Sequence, residues 1–223
     1  MLDSVSRVYG TGAARSVALN SVSLRVEAGE FVAIAGPSGS GKTTLLNLVA
    51  GLDTPTGGRI EVDGRDLARL TGDELADFRM GRVGFVFQQF SLIPVLTAVE
   101  NVELPLLFNA RVPGQSRHAS ALAALERVGL SAKTGRKPAE LSGGEQQRVA
   151  VARALAGNPE VVLADEPTAN LDHETGAAVV ALLKELNRER GTTFLYSTHD
   201  PELVGLASRV VTLRDGRIVG ISP

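Results

Sequence analysis

Gly36-Pro37-Ser38-Gly39-Ser40-Gly41-Lys42-Thr43 decides how the rest of this chain is read. The run Phe31-Val32-Ala33-Ile34-Ala35 before it is continuously apolar, as a buried strand is, while Leu45, Leu46, Leu48 and Val49 after it recur at helical spacing. The glycine-rich stretch therefore lies between a buried strand and a helix beginning near Gly41. There, glycines let successive backbone N–H groups turn toward phosphate oxygens, and the helix N-terminus favours their charge. The pattern Gly-x-x-x-x-Gly-Lys-Thr assigns phosphate binding to Gly36, Pro37, Ser38, Gly39, Ser40, Gly41, Lys42, Thr43 and Thr44. Lys42 is expected to reach the β and γ phosphates, and the Thr43 hydroxyl to ligate Mg²⁺.

Working outward, Val161-Val162-Leu163-Ala164 has the form of a buried parallel strand and ends in two carboxylates, Asp165 and Glu166. The C-terminal edge of such a strand is where open α/β sheets bind ligands. Asp165 is expected to hold Mg²⁺ through water. Glu166 is the candidate general base that polarises the attacking water, a task requiring an acceptor beside the γ phosphate. Between these motifs, Leu141-Ser142-Gly143-Gly144-Glu145 is a glycine-rich helix start with a capping-box pattern, Ser142 with Glu145 three residues on. Its free N–H groups and serine hydroxyl make a second anion site in one chain. One nucleotide carries only one set of phosphates. Two copies arranged head to tail resolve this, each covering with Ser142, Gly143 and Gly144 the nucleotide held by the other's phosphate loop.

At 223 residues, with 43% hydrophobic and 22% charged residues, the chain has material for one α/β core with an insertion but not for two complete hydrolytic cores. A net charge of -2 gives no chain-wide basic field, so nucleic acid is not an expected partner. No cysteine is present, which excludes disulfides, thiolate metal sites and cysteine nucleophiles and fits a reducing compartment. The start Met1-Leu2-Asp3-Ser4-Val5-Ser6-Arg7 lacks the order of a signal peptide, and no stretch approaches about 18 consecutive apolar residues. Direct membrane insertion is not expected. The expected address is the cytosol.

Val22, Leu24 and Val26 alternate as a strand does; Arg59–Gly64 reads as hairpin-like, followed by a polar helix and a strand at Val83–Phe87. Residues 97–140 are rich in Leu, Ala, Glu and Arg at helical spacing, broken by Pro105, Pro113-Gly114 and Pro138. They read as an inserted helical subdomain. A helix over about 173–190, a strand over 193–197 and an Asp215-Gly216 hairpin complete the alternation.

Taken together these segments resemble those of an ATP-binding cassette (ABC) ATPase over essentially the whole chain. The stretches Gly84-Phe85-Val86-Phe87-Gln88-Gln89-Phe90, Leu92-Ile93-Pro94 and Thr97-Ala98-Val99-Glu100-Asn101-Val102-Glu103-Leu104-Pro105 are similar to the lipoprotein-releasing and macrolide-export subgroup. The resemblance implies an α/β P-loop NTPase core, with a mixed, mainly parallel sheet flanked by helices, an antiparallel β subdomain and an inserted α-helical subdomain. It implies a single domain over 1–223, with 1–90 and 157–223 as catalytic core and β subdomain, and about 91–156 as helical subdomain. Gln88 becomes the Q-loop glutamine completing the Mg²⁺ shell, and His199 the switch histidine on the γ phosphate. Asp172, in Asn170-Leu171-Asp172, belongs to the D-loop crossing the dimer seam and is also a plausible helix N-cap. Ala169 stands where relatives usually carry glycine. Tyr9 matches the aromatic that stacks on adenine, with a strand-end core tyrosine as the rival reading.

The expectation is an ATP- and Mg²⁺-dependent ATP hydrolase forming an ATP-sandwich homodimer. It would drive a separate transmembrane permease and sit peripherally on the inner face of the membrane. Leu92, Ile93 and Leu96 are candidates for the permease contact or for subdomain core. The alternatives are a soluble ABC-type ATPase acting on a non-membrane macromolecular partner, and a regulatory nucleotide-binding module that hardly hydrolyses.

Overall fold

A computed structural model describes residues 1–12 and 14–223, and the backbone of Ala13. Its elements run β1 (Leu2–Tyr9), β2 (Ser16–Leu24), β3 (Phe31–Ala35), α1 (Lys42–Val49), β4 (Gly57–Val62), β5 (Arg65–Asp66), α2 (Gly72–Arg82) and β6 (Val83–Val86). Then come α3 (Ala98–Glu103), α4 (Arg117–Arg127), α5 (Gly143–Leu155), β7 (Val161–Ala164), α6 (His173–Arg190), β8 (Thr193–Thr198), α7 (Pro201–Val204), β9 (Arg209–Arg214) and β10 (Arg217–Ser222).

The strands form an antiparallel four-stranded sheet of order β2-β1-β4-β5 and a six-stranded sheet of order β10-β9-β3-β8-β7-β6. In the larger sheet only β10 runs antiparallel to its neighbour. This is the expected mixed, mainly parallel α/β architecture with a separate antiparallel sheet. Register brings the ends of the parallel strands into line: Ala35 pairs with Thr198 and Val86 with Ala164. The phosphate loop after β3, the carboxylates after β7, His199 after β8 and Gln88 after β6 thus leave the same sheet edge.

Alternation within the buried strands divides the interior. Phe31 and Ala33, Val162 and Ala164, and Phe194 and Tyr196 face a core shared with α3, α4, α5 and α6. Their neighbours Val32 and Ile34, Val161 and Leu163, and Leu195 face a core shared with α1 and the antiparallel sheet. Side chains two apart on a strand share a face, so a continuous apolar run such as Phe31–Ala35 must serve both cores. Among the described residues, none between 87 and 160 joins either sheet; α3, α4 and α5 pack on one another through Val102, Leu125 and Val149. Truncating Leu125 to Ala there should cost about 2–5 kcal/mol.

The helix starts are chemically explicit. Thr71 with Glu74, Thr97 with Glu100 and Ser142 with Glu145 close capping boxes on α2, α3 and α5. Asp172 caps α6, accepting from the Thr175 N–H at 3.0 Å, and that bond holds its carboxyl below the usual range. Gly191, at φ +65°, ends the helix.

Candidate functional site

Lys42, the first residue of α1, folds its side chain back under the glycine-rich loop, donating from Nζ to Gly36 O at 2.9 Å and Pro37 O at 3.1 Å. Two glycines are required by the backbone around it. A Cβ on Gly36 would lie 2.2 Å from Leu213 O; one on Gly41, at φ +103°, would lie 2.5 Å from Ala18 O. Ser40 O accepts from the Gly216 N–H at 3.0 Å, tying the loop to the β9–β10 hairpin, and the buried Ser40 Oγ has no partner. Pro37, Ser38 and Gly39 form the exposed rim. Thr43 is exposed beside them, and Thr44 is half-buried.

Asp165 and Glu166 leave β7 facing this loop. Asp165 Oδ1 accepts from Thr43 Oγ1 at 3.1 Å and from Ser197 Oγ at 2.7 Å. Glu166 Oε1 stands 3.3 Å from Lys42 Nζ and 3.4 Å from His199 Nδ1. The Glu166 backbone is left-handed, φ +42°, and its N–H donates to Ser197 Oγ at 2.8 Å. Gln88, Glu166, Thr168, Ala169, Thr198, His199 and Asp200 line an open cleft of about 390 Å³. Gln88 is exposed at its rim, and its carbonyl is held by Asn170 Nδ2 at 2.7 Å. The following Phe90 and Ser91 carbonyls accept from the Arg153 guanidinium of α5.

Lys42, Thr43, Asp165, Glu166, His199 and Gln88 therefore converge. Ser142, Gly143 and Gly144 do not join them. A Cβ on Gly143 would meet Leu171, Phe90 and the Asn170 carbonyl, and one on Gly144 would meet Thr175. The α5 start thus borders its own D-loop. The serine hydroxyl is not wholly free: Oγ accepts a long bond, 3.4 Å, from the Glu145 N–H. Lys133 pairs with the Glu145 carboxylate and, ahead of the Ser142 N–H, holds it below the usual range.

Tyr9 is 40% exposed at the end of β1, so the core-tyrosine reading is overturned. Its hydroxyl donates to Asp53 Oδ2 at 2.7 Å, Arg7 Nη2 lies 2.6 Å from Asp53 Oδ1, and the guanidinium sits 4.5 Å from the ring centroid. An apolar groove of about 230 Å³ runs between α2, β6, α5 and the segment following α3, lined by Leu52, Met80, Phe85, Phe87, Pro105 and Leu106 among others. Leu92, Ile93 and Leu96 are not among its lining residues; Leu92 packs against the helical core instead. The loop carrying them turns back onto α3, where Asn101 binds Ile93 through both backbone groups.

Sequence reasoning missed the roles of Ser197, Arg153, Arg7 and Asp53. Ser197 was visible only as the residue before Thr198-His199, and a hydroxyl in an otherwise apolar strand, Phe194-Leu195-Tyr196, was the available signal.

A glycine-rich loop between a parallel strand and a helix, facing two carboxylates on the next-but-one strand, defines a phosphate-loop nucleotide-binding protein. The chain belongs to the ABC transporter family, whose model matches residues 19–169. It is an ATP-binding, ATP-hydrolysing cassette. It is 51% identical to an uncharacterized ABC transporter ATP-binding protein of Methanocaldococcus jannaschii, over 97% of this chain and 96% of that protein. It is 50% identical to the lipoprotein-releasing system ATP-binding protein LolD of Anaeromyxobacter dehalogenans, over 100% of this chain and 93% of that one. The macrolide export ATP-binding/permease protein MacB of Sodalis glossinidius is 50% identical over 98% of this chain, which spans 33% of that longer protein. A solved dimeric ATP-binding cassette in a post-hydrolysis state, bound to ADP and Pi, superposes with TM-score 0.90 at 46% identity, over 99% of this chain and 97% of that one.

Proposed function

We propose that two copies of this chain close head to tail on ATP and that their opening and closing drives a separate transmembrane permease. The observation that carries the reading is the separation within one chain: Lys42, Thr43, Asp165 and Glu166 meet at one sheet edge, whereas Ser142, Gly143 and Gly144 border Asn170–Thr175. A second copy supplies what one copy keeps apart. The dimeric relative and the permease-linked names of LolD and MacB support the same assignment. We read residues 1–90 and 157–223 as the catalytic core with its β subdomain, and about 91–156 as the helical arm that the closing motion carries.

Within each composite site, Lys42 would exchange its carbonyl partners Gly36 O and Pro37 O for phosphate oxygens, helped by the N–H groups of Ser38 through Thr44. Tyr9 offers an exposed ring for adenine, steadied by Arg7 and Asp53. Thr43 and Asp165 present two oxygen donors 3.1 Å apart, and no group of three His, Cys, Asp or Glu side chains that could hold a metal ion exists among the described residues. That donor set fits Mg²⁺, which takes one or two protein oxygens and completes its shell with phosphate and water, here with Gln88 nearby. Bound there, the ion would neutralise charge on the phosphates. Glu166 would take the proton of the attacking water as its oxygen bonds to the γ phosphorus and the bond to the ADP oxygen breaks. His199 lies beside that carboxylate, within reach of the same phosphate. Asp172 would lie on the seam.

Among the described residues no helix is long and apolar enough to cross a membrane; the permease would bring the chain to the membrane. The apolar groove beside Gln88, with Leu52 50% and Met80 41% exposed, is the receiving surface, and the chain would lie on the inner membrane face. The test is phosphate release against protein concentration. A specific rate that rises with concentration and then saturates supports the dimeric site. A constant specific rate in a preparation shown to be monomeric overturns it.

A further inference from the structure

We propose that Ser197 is a positioning residue for hydrolysis: its buried hydroxyl sets the two carboxylate residues after β7 relative to each other and to the phosphate loop. The proposal rests on Glu166 being the general base. Ser197 is fully buried in β8, between Tyr196 and Thr198, where every other side chain from Phe194 to Tyr196 is there to pack. A hydroxyl in such a strand is costly unless it is bonded. Both of its bonds go to the site. Its O–H donates to Asp165 Oδ1 at 2.7 Å, and its oxygen accepts from the Glu166 N–H at 2.8 Å.

The second bond falls on the one strained backbone position of the site. Glu166 has φ +42°, a conformation that a non-glycine residue keeps only where its surroundings over-determine it. β7 has already ended at Ala164, so no ladder bond secures the Glu166 amide, and Ser197 Oγ takes that place. The left-handed turn in turn aims the carboxylate back at Lys42 and His199, 3.3 and 3.4 Å away. The first bond matters for a different reason. Asp165 Oδ1 also accepts from Thr43 Oγ1 at 3.1 Å, so one oxygen joins the phosphate loop, the β7 carboxylate and the strand that carries His199.

Ser197→Ala removes the hydroxyl with almost no change of volume and is compared with the parent chain and with Glu166→Gln. Phosphate release, ADP affinity and the thermal unfolding midpoint are measured for each. A base held about an ångström out of place loses on the order of 10- to 100-fold in turnover. Ser197→Ala is therefore expected to lower kcat by that factor while KM for ATP and ADP affinity stay close to the parent values; the unfolding midpoint falls only slightly, because the Glu166 N–H loses its partner. A kcat within about twofold of the parent overturns the proposal. So does a loss of turnover matched by loss of ADP affinity and a strongly lowered midpoint, because that is what a purely structural hydroxyl would give. If Glu166→Gln abolishes turnover while Ser197→Ala keeps kcat within about twofold of the parent, the positioning role alone fails. If Glu166→Gln stays active, the base assignment fails and takes this role with it.

Discussion

Lys42 Nζ lies 3.3 Å from Glu166 Oε1, so the residue proposed to grip phosphate and the residue proposed as general base are an ion pair in this structure. Their side chains are 5% and 19% exposed, too enclosed for solvent to compensate either charge once the other is removed. Lys42→Ala should abolish measurable ATP binding. It should also lower stability by about 1–3 kcal/mol, because Gly36 O, Pro37 O and Glu166 lose a common charged donor. Equilibrium dialysis with labelled ATP and urea unfolding check the two effects separately.

Glu166→Gln keeps the shape of the side chain and removes its basicity. Affinity for ATP should remain within a few-fold of the parent, turnover should fall by at least about 100-fold, and dimers should accumulate in ATP. Light scattering after size exclusion reads the last effect; a fully active, monomeric variant would overturn the base assignment.

Gly41→Ala tests the geometry of the loop directly. The left-handed φ of +103° and the Ala18 carbonyl 2.5 Å from the new Cβ act together, and backbone has no cheap way to yield. The strain alone is worth about 1–3 kcal/mol. The variant should melt lower and bind ATP more weakly, whereas Gly39→Ala, with open space around its Cβ but φ +78°, should pay only the conformational part.

Tyr196 makes an alkaline prediction. Its ring packs on Phe31 at 5.0 Å, its hydroxyl donates to Leu203 O at 2.7 Å, and burial pushes its pKa well above the ordinary tyrosine value of 10.0. The unfolded chain therefore releases this proton first. The stability due to the neutral phenol is complete below pH 10 and is lost as the pH climbs from there toward the raised folded value. Tyr196→Phe should flatten that alkaline decline. At neutral pH it should cost about 1–3 kcal/mol, since Leu203 O is left unpaired. Urea midpoints across pH 8 to about 11 measure both.

In the apolar groove, Met80→Asp places a charge among Leu52, Phe85 and Phe87. Phosphate release by the isolated chain should persist, because Met80 touches neither the phosphate loop nor the carboxylates. Co-purification with a membrane permease should fail. Retained co-purification would move the docking surface elsewhere.

Much of the site could be read from residue order, because each half is a local device. The phosphate loop needs only its own glycines, Lys42 and the helix that follows. The capping pairs Ser142 with Glu145 and Asp172 with Thr175 lie within one helical turn, and each is seen in the structure. Contacts between segments far apart were not readable. Arg153 on the Phe90 and Ser91 carbonyls spans 63 and 62 residues, and Tyr9 on Asp53 spans 44. Leu92 shows the same limit from the other side. An apolar residue beside the Q-loop suits a docking surface and a core equally well; Leu92 packs half-buried against the helical core, while Ile93 stays 37% exposed.

Taken alone, the order of residues determined that this is a mainly parallel α/β protein with a phosphate loop, paired carboxylates at a strand end and a second glycine-rich, capped helix start. Strand alternation, helical spacing and capping are all properties of neighbours in the chain. Only the tertiary structure decided that Thr43, Asp165 and Ser197 share one oxygen, that Glu166 is turned toward Lys42 and His199, and that Ser142 lies apart from its own phosphate loop. Those relations depend on strand order and register, which place β3, β8 and β7 side by side, and a register shift of one residue would reverse every side chain on the strand that slipped.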